Sequence, residues 1–84
     1  MMIFPNIDME ATGKNIRRLR MQHGYTVRDL QKYLSLGTPQ AVYKWQQGIT
    51  LPSIDNLVVL SWLFGVAIEE IIVCTKPAVL PSAA

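Results

Sequence analysis

Five glycines, at positions 13, 24, 37, 48 and 65, cut the chain into short segments. Between them the apolar residues recur three and four positions apart, the period of one face of an α-helix, and nowhere in the strict alternation of a half-buried strand. A chain punctuated so often can hold only short helices joined by tight turns. With 84 residues there is room for one domain around one small core. Half the residues are hydrophobic and 17% are charged, enough apolar surface for a compact fold and too little charge for a solvated, disordered chain. No internal repeat is present.

The spacing predicts five helices. In the first, over about Thr12–His23, Ile16 and Leu19, with His23 one turn on, mark one face, and Gly24 stands where a left-handed residue ends a helix. Thr26, with Asp29 three residues later, forms an acidic variant of the capping box and opens a second helix over Val27–Leu34. Thr38 followed by Pro39 is a strong start signal, a capping hydroxyl before a proline at the first helical position, for a third helix over Pro39–Gln47. Its inward residues are expected to be Val42 and Trp45, leaving Gln40, Tyr43, Lys44 and Gln47 outward. Ser53 caps a fourth helix that runs to Phe64, with Ile54, Leu57, Leu60 and Phe64 expected in the core, and Ala67–Val73 forms a last short one. Residues 1–11 read as an N-terminal extension, 12–74 as the domain, and 75–84, with two prolines and no helical period, as a flexible tail.

The net charge of +2 conceals an uneven distribution. Lys14, Arg17, Arg18, Arg20, Arg28, Lys32 and Lys44 face Asp29 alone, so residues 14–44 carry +6, while the rest of the chain carries −4. Such asymmetry points to a polyanionic partner for one half only. One cysteine, Cys74, cannot close an intramolecular disulfide, and one histidine, His23, leaves no cluster with metal-ligand spacing. The expectation is a cytoplasmic, nucleoid-associated protein with no metal and no cofactor. The N-terminus lacks a secretory signal, and the most apolar window, Leu57–Ile68, is well short of the roughly 20 residues that span a bilayer, so no membrane partner is expected.

The order and spacing of several pieces carry a resemblance: Ile16-Arg17-Arg18-Leu19-Arg20, Gly24-Tyr25-Thr26, Asp29-Leu30, Val42-Tyr43-Lys44-Trp45-Gln46-Gln47-Gly48, Leu51-Pro52-Ser53, and then Leu57, Leu60, Phe64-Gly65-Val66 and Ile68-Glu69-Glu70-Ile71. Together they cover about 60 residues, and the chain resembles the Xre/Cro-like (lambda-repressor-like) helix-turn-helix family. The resemblance implies an all-α, five-helix domain and a sequence-specific regulator of transcription, prokaryotic or phage-borne, that reads double-stranded DNA with helix three. It implies base contacts by Gln40, Tyr43 and Lys44, with Gln47 at the edge of the groove. It further implies phosphate contacts by Arg17, Arg18, Arg28, Lys32 and the amides near Thr26.

The chain also departs from the family pattern. Val27 replaces a glutamine that usually opens helix two, Gln31 replaces a small alanine, and the turn before helix three is one residue longer. Gln46 stands where a glutamate commonly pairs with the arginine matching Arg20, so a hydrogen bond can survive there but an ion pair cannot. These departures keep a second reading open, an antitoxin-like or accessory module that binds a protein partner. An enzyme is the weakest class, since no nucleophile, base and orienting group can be assembled.

Val58, Val59, Trp62 and Leu63 lie on faces of helix four that the expected core does not fill. A leftover apolar patch of this kind marks a self-association surface, so a homodimer is expected through helix four, with Val59, Trp62 and Leu63, joined by the last helix and the Val79-Leu80 stretch of the tail. The alternative is that residues 1–12 fold back over the patch.

Overall fold

The computed structural model describes residues 6–75. Helices α1 (Met9–Gln22), α2 (Val27–Tyr33), α3 (Gln40–Gln46), α4 (Ile54–Phe64) and α5 (Ile68–Ile71) follow one another along the chain. None of them is long and apolar enough to cross a membrane. Their inward faces meet in one core that includes Ile16, Leu19, Leu30, Val42, Trp45, Leu57, Leu60, Phe64 and Ile71.

The same hydrogen-bonded turn ends four of the helices. After α1 the Gly24 amide donates to the Met21 carbonyl and the Tyr25 amide to that of Arg20, and equivalent pairs close α2, α3 and α4. The turn needs one residue in the left-handed region, where a side chain crowds the following carbonyl. Gly24, Gly48 and Gly65 fill that position with φ of +73°, +74° and +64°; after α2 it is filled by Ser35 at +52°. Gly37, three residues before α3, has no such role.

Helix α1 starts three residues earlier than the periodicity suggests. The Asp8 carboxylate accepts from the Ala11 amide at 3.0 Å and caps it, so Met9–Ala11, read as part of an extension, are helical. Gly13 faces α3: a Cβ there would run into the Trp45 carbonyl oxygen and lie 2.7 Å from that of Gln46, so only glycine lets the two helices approach this closely. At α2 both arms of the capping box form, Asp29 N to Thr26 Oγ1 at 3.0 Å and Thr26 N to Asp29 Oδ2 at 2.8 Å.

The start of α3 differs from expectation. Pro39 already has helical φ and ψ of −70° and −13°, its carbonyl accepts from Val42 and Tyr43, and the Thr38 hydroxyl makes no cap. Helix α4 opens as its sequence predicts, with Ser53 Oγ accepting from Asn56 N at 3.2 Å. Ile54, expected in the core, is 77% exposed. It lies at the first helical position, one turn before Leu57, where no neighbouring element covers it.

Helix α5 is shorter than the predicted Ala67–Val73. At Ile72 the chain turns extended, with φ −82° and ψ +126°, and Cys74 forms an antiparallel bridge with Ile7. Asp8 N donates to Val73 O and Thr75 N to Asn6 O, both at 2.7 Å. The buried Thr12 hydroxyl accepts from Val73 N at 2.9 Å and donates to its carbonyl at 3.3 Å. Asn15 Nδ2 donates to the carbonyls of Glu70 and Ile71, which the end of a four-residue helix leaves without helical partners. Residues 6–8 therefore pair with 73–75 and not with α4. Residues 1–5 and the tail 76–84 lie outside the described residues.

Candidate nucleic-acid interface

Helix α3 buries Val42 and Trp45, and with 3.6 residues per turn this leaves Gln40, Tyr43, Lys44 and Gln47 within an arc of about 100° on the opposite side. All four are exposed, Tyr43 at 43%. Trp45, 5% exposed, belongs to the core and not to this face. The four side chains offer two amides, a phenol and an ammonium group, a set able to meet the donor and acceptor pattern of base edges.

Cations flank this arc on two helices. Arg28 and Lys32 are one turn apart and share the exposed face of α2. Arg17 is exposed one turn beyond Gly13, on the flank of α1 that meets α3. Arg18 is exposed as well, but it points to the other flank. Its guanidinium donates to Asn15 Oδ1 at 2.6 and 3.2 Å and to Gln22 Oε1 at 3.3 Å, and Asn15 in turn holds the end of α5.

The capping box changes the reading of Thr26. Its own amide and that of Asp29 are both used inside the box, and the Asp29 carboxylate lies where an incoming phosphate would need positive potential. The box uses these two amides and leaves those of Val27 and Arg28, with the Thr26 hydroxyl proton, to meet a ligand. Among the described residues the one ion pair is Lys14 with Glu10, at 3.1 Å on exposed side chains. Arg17, Arg28, Lys32 and Lys44 thus have no carboxylate partner among the described residues.

Arg20 is half-buried between three elements. Its Nε donates to Gln46 Oε1 at 2.9 Å, the neutral hydrogen bond that the sequence allows, and its Nη1 donates to the Tyr25 carbonyl at 2.8 Å. The guanidinium ties the last residue of α3 to the segment that leads into α2. The second contact has no sequence signature, because the acceptor is backbone.

The exposed side of α4 carries apolar residues beside the charged Asp55. Trp62, 79% exposed, stands opposite Leu57, Leu60 and Phe64, with Val58 and Val59 beside it. Val59 and Leu63 are half-buried and pack partly against the core, so of the three expected interface residues Trp62 is the one that is fully presented.

A helix-turn-helix pair with a polar, cation-flanked second helix defines a class of DNA-binding protein. The chain belongs to the helix-turn-helix family, whose model matches residues 16–71, two-thirds of its length. It is a DNA-binding transcriptional regulator of the Xre/lambda-repressor-like type. Its fold is similar to the restriction-modification controller protein C.AhdI from Aeromonas hydrophila, with a TM-score of 0.67 and 22% identity over 76% of this chain and 96% of that one. It is also similar to the DNA-binding domain of BldD, with a TM-score of 0.61 and 18% identity over 76% of this chain and 92% of that one. Among curated proteins, none matches the sequence.

Proposed function

We propose that the protein binds a specific duplex sequence by laying α3 in the major groove, with α2 lying across the backbone. The observation that carries this reading is the coincidence of one exposed polar arc on α3 with unpaired cations on α1 and α2. Gln40 is suited to a bidentate contact with adenine, Lys44 to donation to guanine, and Tyr43 to a thymine methyl or a phosphate, with Gln47 at the groove edge. Arg17, Arg28, Lys32 and the amides that follow Thr26 are proposed to supply the phosphate contacts, and Arg18 would give up its exposed hydrogen bonds to Asn15 and Gln22 to join them. About three neutralised phosphates, those of Arg17, Arg28 and Lys32, correspond to a slope of log affinity on log salt of about −3.

The functional unit is proposed to be a homodimer joined through the outward side of α4. A two-fold axis there places two recognition helices about 34 Å apart on a pseudo-palindromic site. The setting is proposed to be cytoplasmic, in a prokaryotic or phage-borne regulatory system.

Selection of binding sites from random duplex DNA tests the recognition surface. Lys44→Ala is expected to change the enriched sequence, at a cost of about 1 to 3 kcal/mol on the preferred site, whereas Arg28→Ala is expected to weaken all sequences alike. If no motif is enriched and neither change weakens binding, α3 is not a reading head.

A further inference from the structure

The half-buried Arg20 has no carboxylate within ion-pairing distance among the described residues. A charge withdrawn from water usually acquires an opposite charge, and this one is held instead by two neutral oxygens, Gln46 Oε1 and the Tyr25 carbonyl. These acceptors satisfy the geometry of the guanidinium and leave its charge intact. They also put that charge at the C-terminal end of α3, beside the arc of Gln40, Tyr43, Lys44 and Gln47.

We propose that Gln46 tunes the affinity of the protein for DNA: it fixes Arg20 in place as a carboxylate would, yet leaves the arginine charge uncancelled at the C-terminal end of the recognition helix. Arg20 is then a positioning residue with a second effect. Its hydrogen bonds fix α3 against the segment before α2, and its field adds to that of Arg17, Arg28, Lys32 and Lys44 in drawing in the phosphate backbone. The inference rests on the duplex-binding reading above.

The size of the effect follows from distance. One unit charge acting on a phosphate at roughly 10 Å, with an effective dielectric constant between about 20 and 80, changes affinity about 2- to 20-fold. Because the Debye length falls to about 3 Å at molar salt, the difference must shrink as salt rises.

Gln46→Glu keeps the acceptor and the shape of the side chain and adds the missing negative charge, while Gln46→Met removes the acceptor and adds no charge. Dissociation constants of both variants and the wild type are measured on a short random-sequence duplex across a salt series, with thermal melting of each protein. The expected result is a Glu variant at least as heat-stable as the wild type that binds about 2- to 20-fold more weakly at low salt, the gap closing at high salt. The Met variant is expected to melt lower but to keep the wild-type salt slope. Equal binding by the Glu variant and the wild type at every salt, or a loss that does not vary with salt, overturns the proposal and leaves the DNA-binding reading standing. A wild type that binds no duplex at all overturns both.

Discussion

Ser35 occupies the left-handed position at the end of α2, where glycines serve the other three turns of the same kind. A side chain there costs about 1 kcal/mol, and glycine removes that cost while adding some freedom to the unfolded chain. Ser35→Gly is therefore expected to stabilise the domain by about 0.5 to 1 kcal/mol, read as a higher urea midpoint with an unchanged slope. A lower midpoint would show that the serine makes up its strain elsewhere. At this scale the sequence is legible where a residue's role depends on its own helix. The arc of Gln40, Tyr43, Lys44 and Gln47 follows from helical period and the burial of Val42 and Trp45. Ile54 does not follow, because an apolar side chain at the first position of a helix can face either way and only the packed neighbours decide.

Among the elements, ends written in local chemistry were readable: the box of Thr26 and Asp29, the Ser53 cap, and the glycines after α1, α3 and α4. Ends fixed by distant partners were not. Helix α5 stops at Ile71 because Val73 and Thr75 find the extended residues 6–8 beside them, some 65 positions away, and the β-branched run from Ile71 to Val73 takes an extended path readily. The start of α1 shifts for the same reason, since Asp8 is held by Val73 as well as capping its own helix. Thr12 is the buried link in this closure. Thr12→Val keeps the shape of the side chain and leaves the Val73 amide without its hydroxyl acceptor. The expected cost is about 1 to 3 kcal/mol, with faster hydrogen exchange at the Asp8 and Val73 amides and little change at α3. Unchanged exchange at those two amides would mean that the terminal pairing does not depend on Thr12.

At the scale of the whole molecule, charge and apolarity are segregated. Residues 14–44, which build most of α1, all of α2 and most of α3, carry +6, and the remainder carries −4. Two copies that met through their cationic halves would repel each other and bury the reading face. Two that met through α4 would keep both cationic faces outward, each free for one half-site. Helix α4 is suited to this because, beyond its core side of Leu57, Leu60 and Phe64, it presents Trp62 with the half-buried Val58 and Val59 beside it, apolar surface that a partner would cover, with Asp55 two turns before Trp62 at the rim. Trp62→Glu places a carboxylate at the centre of that surface while leaving the core untouched. Sedimentation is expected to show a wild-type dimer and a Trp62→Glu monomer at micromolar concentration, with both proteins melting within about 1 kcal/mol of each other once the dimer's own contribution is allowed for. On a selected palindromic duplex the variant is expected to lose at least tenfold in affinity, and on a single half-site to bind like the wild type, because the linked second binding event is what it has lost. A wild type that stays monomeric across that range, or a variant that still dimerises, places the self-association surface somewhere other than α4.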